Sequence, residues 1–190
     1  GCRPIVHKTS LEDRWMPDPV RLEDAISDAT RLIVLNYPNN PTGAVVSRKL
    51  MEELVDVARR RNIYVMSDEV YMDYAFGEHV TALSTGYDRV VMIMSFSKSW
   101  GMTGYRIGYA VAPVDLAERM ARIQGNLLTC VPEFVQVAAL KAISDRETPK
   151  AYREHMRRGI EVICRYLDAI GAEYVRPGGG MYVFPRIDLG

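Results

Sequence analysis

Three apolar runs, each leading into polar residues, constrain this chain more than anything else in it. They are Arg31-Leu32-Ile33-Val34-Leu35-Asn36, Ile63-Tyr64-Val65-Met66 before Ser67-Asp68, and Arg89-Val90-Val91-Met92-Ile93-Met94 before Ser95. The first is apolar without alternation, which predicts a strand of a parallel sheet buried on both faces. Between the first two runs, Leu50, Met51, Leu54, Val55 and Ala58 fall at helical spacing, and Ser47 is placed to cap a helix over 48–61. Glu52, Glu53, Asp56 and Arg59-Arg60-Arg61 make its solvated face, the arginines suiting the negative end of the helix dipole. Strand, helix, strand is a βαβ unit with a right-handed crossover. Asn40, Asp68 and Lys98 then converge at the carboxyl edge of one sheet, where open α/β sheets bind ligands.

Lys98 stands in Ser95-Phe96-Ser97-Lys98-Ser99-Trp100-Gly101-Met102-Thr103-Gly104-Tyr105-Arg106-Ile107-Gly108-Tyr109. Small hydroxyls flank the lysine, glycines permit sharp turns, and Arg106 supplies a fixed charge able to grip a phosphate bidentately. A lysine nucleophile in that company suits a pyridoxal phosphate (PLP) Schiff-base site. Upstream, Asn39-Asn40-Pro41-Thr42-Gly43 is a stiff turn, its prolines holding Tyr37 and Asn40 extended and Gly43 open to positive φ. Asp68-Glu69-Val70-Tyr71 follows 28 positions after Asn40, Lys98 30 positions after Asp68, and Arg106 8 positions after Lys98.

These three motifs, in this order and spacing, resemble those of the class I/II PLP-dependent aminotransferases (aspartate aminotransferase-like, fold type I), over nearly the whole chain. The resemblance implies an α/β three-layer sandwich with a mostly parallel central sheet. Residues 1–145 would be part of a PLP-binding large domain, and 146–190 the start of a smaller α+β C-terminal domain. It implies Lys98 as catalytic amine and Schiff-base partner of pyridoxal 5′-phosphate, later carrying the proton between Cα and the cofactor. Asp68 would pair with the pyridine nitrogen, and Asn40 and Tyr71 would bond the phenolic oxygen, Asn40 also reaching the substrate carboxylate. Ser95, Ser97 and Arg106 would hold the phosphate, with Glu69 as structural support. Substrates would be an amino acid and a 2-oxo acid, in a homodimer whose active site is shared across the interface. The lysine motif is more similar to the aspartate/aromatic/alanine branch than to the histidinol-phosphate branch. A β-lyase, decarboxylase or cyclopropane-forming synthase on the same scaffold stays open, as does a non-catalytic PLP-binding regulator module.

Family members are about twice as long, and this chain starts at Gly1, so it is expected to be an internal fragment lacking full activity. An upstream phosphate loop, a ring stacked on the cofactor, and a downstream arginine for the substrate carboxylate would lie outside it; Arg176 and Arg186 come too early for that last role.

Zero formal net charge among 190 residues argues against bulk attraction to nucleic acid or anionic membrane, and no apolar run spans a bilayer. Cys2, Cys130 and Cys164 fit neither a disulfide framework nor a metal site, and a reducing cytoplasm is expected. The three histidines are scattered too, so no metal is expected.

The remaining expectations concern local structure. Pro4–His7 reads as a short strand, Leu11–Pro19 as loop, and Val20–Ser27 as a helix capped by Asp18 or Asp24. The segment from Met72 to Tyr87 reads as an irregular surface loop, and Ile107–Ala112 as an antiparallel edge strand. Helices follow from Pro113 to Leu128, with Leu116, Met120 and Ile123 on one apolar face, and from Glu133 to Ser144. Asp145–Lys150 has the composition of a domain junction. A helix over Tyr152–Ile170 should bury Val162, Ile163, Tyr166, Leu167 and Ile170 and stop at Gly171. Two strands, Glu173–Val175 and Met181–Phe184, would flank a flexible turn at Arg176–Gly180.

Overall fold

The computed structural model describes residues 1–187. Four strands form one sheet in the order β1 (Leu32–Asn36), β2 (Tyr64–Asp68), β3 (Val90–Ser95), β4 (Gly108–Val111). The first three are parallel, and β4 runs antiparallel beside β3, with Ser95 opposite Gly108. This is the mostly parallel α/β sheet the apolar runs imply. In its register Asn36 pairs with Asp68 and Asp68 with Ile93, so the carboxyl ends of β1 and β2 are level and β3 runs two residues further on the same edge, to Ser95.

The crossover helix α2 (Arg48–Arg60) starts where Ser47 accepts the Leu50 N–H at 3.2 Å, as its spacing predicts. Met51, Leu54, Val55 and Ala58 are fully buried in one core with Ile33, Leu35, Val65 and Val90. Each large side chain so buried contributes about 1.5–3 kcal/mol relative to exposure. Asp18 caps α1 (Pro19–Asp24), accepting the Val20 N–H at 2.8 Å. After a four-residue α3 (Phe96–Ser99) and β4 come α4 (Val114–Leu128), α5 (Glu133–Ile143) and α6 (Glu147–Ala169), the last followed by Gly171 at φ +68°.

Several expectations need correction. Strand β1 is not buried on both faces: Ile33 and Leu35 face the core, while Leu32 and Val34 are 44% and 58% exposed. Pro4–His7 pairs with nothing as a strand, and Ile5 and Val6 are exposed. The segment from Met72 to Tyr87 is irregular but not superficial. It holds two 3-10 turns, Met72–Tyr74 and Ala82–Thr85, and buries Tyr74, Ala75, Val80, Ala82 and Tyr87. Helix α4 buries no side chain fully: Leu116 and Met120 of its expected apolar face are half-buried, while Ile123, Leu127 and Leu128 are exposed.

Helix α6 starts earlier than its apolar pattern suggests, because Asp145 accepts the Glu147 and Thr148 N–H groups at 2.8 and 3.1 Å. Of the face expected to be buried only Leu167 is; its companions are Ile160 and Cys164, while Val162, Ile163, Tyr166 and Ile170 are exposed. The two C-terminal strands do not form among the described residues: the pairing there is two isolated bridges, Ala75 with Gly179 and Glu173 with Arg186. Nor is the glycine turn loose. Gly178 and Gly179 donate to the Gly43 carbonyl at 2.9 and 3.2 Å, and Gly180 to the Tyr74 carbonyl at 3.0 Å.

Candidate active site

These strand ends place three loops on one edge of the sheet. Asn36, the last residue of β1, ties two of them: its Nδ2 donates to the Asp68 carbonyl at 3.3 Å, and its Oδ1 accepts the Asn40 N–H at 2.9 Å. Asn39 closes the turn from inside, accepting from the Thr42 hydroxyl at 2.7 Å, while Gly43 takes φ +70°. Asn40 is left exposed, its Nδ2 3.5 Å from Tyr71 Oη.

Asp68 ends β2 half-buried. Among the described residues its side chain accepts only the Val70 N–H, at 3.3 Å, so it keeps acceptor capacity for a ligand. Glu69 points the other way and is fully buried. Its oxygens accept from Ser67 Oγ, Thr81 Oγ1 and the Ala82 N–H at 2.9, 3.0 and 3.0 Å and pair with His79 Nε2 at 2.8 Å.

Lys98 lies in α3, where Ser95 caps the turn by accepting the Ser97 N–H at 3.1 Å. Its Nζ stands 5.4 Å from the centre of the buried Tyr71 ring, within range of a cation–π contact. Tyr71 Oη in turn lies 3.2 Å from Tyr182 Oη. That hydrogen bond, then burial, raises the Tyr182 phenol above its ordinary value, with the Lys98 charge opposing. A cavity of about 450 Å³ opens beside Ser97 and Lys98, bounded by Tyr74, Tyr152 and His155. Arg106 is exposed at φ +53°, donates to the Thr103 carbonyl at 2.8 Å, and borders a different cavity of about 680 Å³, while the next residue, Ile107, accepts the Phe96 N–H at 3.2 Å.

The structure thus links Asn40, Tyr71 and Lys98 by direct contacts, joins Asp68 to Asn40 through Asn36, and shows no contact between the Arg106 side chain and these four among the described residues. The donor set fits pyridoxal phosphate. A primary amine, a carboxylate with spare acceptor capacity, a phenol and an amide share one edge, with two serine hydroxyls at the turn.

The sequence profile described as aminotransferase class I and II matches residues 1–189. The chain belongs to this family. Among its relatives, the aspartate aminotransferase of Thermococcus kodakarensis is 39% identical over 95% of this chain and 48% of its own length. The aspartate aminotransferase of Pyrococcus horikoshii is 36% identical over 98% of this chain and 49% of its own. A solved aromatic aminotransferase from Pyrococcus horikoshii superposes with a TM-score of 0.91 at 35% identity, covering 97% of this chain and 52% of that one. The chain spans about half the length of the curated aminotransferases it matches.

Sequence reasoning missed Asn36, Tyr182 and the tyrosine at 74 as neighbours of this aminotransferase-family site. For Tyr182 a signal existed: three glycines, two positions before it, permit the close backbone approach that brings it to Tyr71. For Asn36 the signal was a polar residue closing an otherwise apolar strand.

Proposed function

We propose that this chain carries the cofactor site of a pyridoxal-5′-phosphate-dependent aminotransferase, which passes an amino group between an amino acid and a 2-oxo acid. The convergence of Lys98, Tyr71, Asn40 and Asp68 at one sheet edge, in a chain of this family, carries the reading. Pyridoxal 5′-phosphate, when bound, supplies an aldehyde that condenses with amines and a ring that accepts electrons from the substrate Cα. Lys98 Nζ would be the catalytic amine: it would hold the cofactor and would move the proton at the substrate Cα. Asp68 holds the ring N–H and keeps the ring cationic. Asn40 and Tyr71 donate to the phenolic oxygen. Ser95, Ser97 and Arg106 hold the phosphate; one Arg106 N–H is engaged with Thr103, and a guanidinium has four more to offer.

Relatives named aspartate and aromatic-amino-acid aminotransferases favour acidic or aromatic amino acids as amino donors. Residues 1–145 form the cofactor-binding part in this reading and 146–190 the start of a second domain, with α6 beginning at that junction. A homodimer suits the uncovered Phe134, Val137 and Leu140 of α5, and a reducing cytoplasm suits three free cysteines. No helix among the described residues is long and apolar enough to cross a membrane.

The test is to incubate the chain with pyridoxal 5′-phosphate, reduce with borohydride and map the label by peptide mass spectrometry. Label concentrated on Lys98 and lost in Lys98→Ala supports the site. Label spread evenly over Lys8, Lys49, Lys98, Lys141 and Lys150 overturns it. Aspartate or an aromatic amino acid should then convert the bound cofactor to its amine form.

A further inference from the structure

Tyr74 is 3% exposed, and its contacts run to three separate segments. Its Oη donates to the Lys98 carbonyl at 2.7 Å, its own carbonyl accepts the Gly180 N–H at 3.0 Å, and its ring centre lies 6.4 Å from that of Tyr71. A buried tyrosine hydroxyl needs a partner in any protein. What is particular here is the partner, the main chain of the lysine that bears the site.

The turn carrying Lys98 has little rigidity of its own. Helix α3 is four residues long, and so short a helix is not self-sustaining. It is held from two sides instead. Tyr74 grips it at Lys98. Farther along the turn, Trp100 Nε1 donates to the Asp145 carbonyl at 3.1 Å, and Gly101, at φ +64°, packs so near Tyr152 that a Cβ there would lie 2.9 Å from its hydroxyl. Burial pushes the Tyr74 phenol up to about 12, which keeps it a donor at any working pH.

The structure assigns Tyr74 the role of positioning residue for Lys98: its hydroxyl fixes the carbonyl of the residue whose amine must reach the cofactor, and couples the lysine turn to the Tyr71 loop and to Gly178–Gly180. The assignment rests on Lys98 being the catalytic amine.

Tyr74→Phe tests it, since the ring stays and only the hydroxyl goes. Two readouts are taken on the whole chain: the share of borohydride-fixed pyridoxyl label on Lys98 relative to Lys49 and Lys150, and amide exchange of residues 96–101 relative to α2. The loss of one buried hydrogen bond corresponds to roughly a three- to tenfold change. The Lys98 share should fall, and exchange at 96–101 rise, by about that factor, with the melting temperature and exchange in α2 little changed. If Lys98 labels as in wild type, Tyr74 is not a positioning residue, whatever the exchange shows. If wild type itself shows no preference for Lys98, the aminotransferase reading fails separately. The positioning role then falls with it, whereas a Lys98 preference present in wild type and reduced in Tyr74→Phe, together with faster exchange at 96–101, supports it.

Discussion

Glu69 Oε2 lies 2.8 Å from His79 Nε2, and Glu69 is fully buried directly beside the candidate cofactor ligand Asp68. A charge removed from water costs several kcal/mol unless its acceptors are filled. Here both oxygens are engaged, and the partners Thr81, Ala82 and His79 all come from the irregular segment after β2. The carboxylate therefore holds that segment against the sheet. Burial pushes its pKa up, but hydrogen bonds from His79, the Ala82 N–H and Ser67 outweigh this and leave it below the ordinary value of 4.5.

That sign sets a pH dependence. With the folded value lowered, the stabilisation from Glu69 is fully present above pH 4.5 and is lost as pH falls through the folded value. Glu69→Gln keeps the shape and removes the charge, and should cost about 1.5–3 kcal/mol at pH 7. In urea melts the gap between wild type and variant should shrink as pH drops below 4.5. A gap independent of pH would mean that the charge contributes nothing.

Two glycines should resist substitution for measurable steric reasons. A Cβ at Gly179 would lie 2.9 Å from the Tyr74 carbonyl oxygen, and one at Gly43 would lie 2.5 Å from Pro177 Cβ at a φ of +70°. Gly179→Ala should cost about 1–3 kcal/mol by overpacking, and Gly43→Ala about 1–2 kcal/mol more for its left-handed backbone. Gly77 has open space at its Cβ and should tolerate alanine within about 0.5 kcal/mol. Similar urea midpoints for all three would contradict the docked glycine turn.

Where the chain repeats a period, the sequence was readable. The face of α2 follows from apolar spacing, the parallel strands from their apolar runs and the Ser47 cap from its place before the helix, and strand ends on one edge follow from the βαβ order. Asn40, Asp68 and Lys98 come together for that reason alone. The segment from Met72 to Tyr87 has no such period: Tyr74, Val80, Ala82 and Tyr87 are buried at irregular intervals around an anchored carboxylate. Helix α6 carries two apolar stripes, and Val162, Ile163, Tyr166 and Ile170 are as hydrophobic as the stripe of Ile160, Cys164 and Leu167 that packs inward. Periodicity identifies a helix but cannot choose between its stripes. Glu173–Val175 and Met181–Phe184 have strand-forming residues without a ladder to join, and β propensity alone does not make a sheet. Tyr74 and Tyr182 escaped notice because contacts between non-repeating segments leave no trace in spacing.

Uncovered apolar surface predicts association. Phe134, Val137 and Leu140 of α5 and Leu127 and Leu128 of α4 are each more than 60% exposed. Contiguous apolar surface of this kind is uncommon on monomers. Sedimentation of the chain should therefore show concentration-dependent self-association, and Phe134→Ser with Leu140→Ser should move it towards monomer while leaving the α2 core folded. A monomer at high concentration would count against the homodimer.

Asn36 offers the last test, because it joins the loops that carry the proposed cofactor ligands Asn40 and Asp68. Its Oδ1 accepts the Asn40 N–H and its Nδ2 donates to the Asp68 carbonyl. Asn36→Ala breaks both bonds, each contributing about 0.5–1.5 kcal/mol, and frees Asn40 from Asp68. Asn36→Asp keeps an acceptor for Asn40 but loses the donor and sets a second negative charge near Asp68, where only one is useful. If the edge works as a preorganised unit, titration with pyridoxal 5′-phosphate followed by tryptophan fluorescence should show weakened binding in both variants. The alanine effect should be about fivefold, from roughly 1 kcal/mol of lost ordering, and the aspartate effect should be larger through repulsion. Aspartate binding more tightly than alanine would show that acceptor geometry outweighs charge there. Equal affinity in all three proteins would mean that Asn40 and Asp68 hold their positions independently.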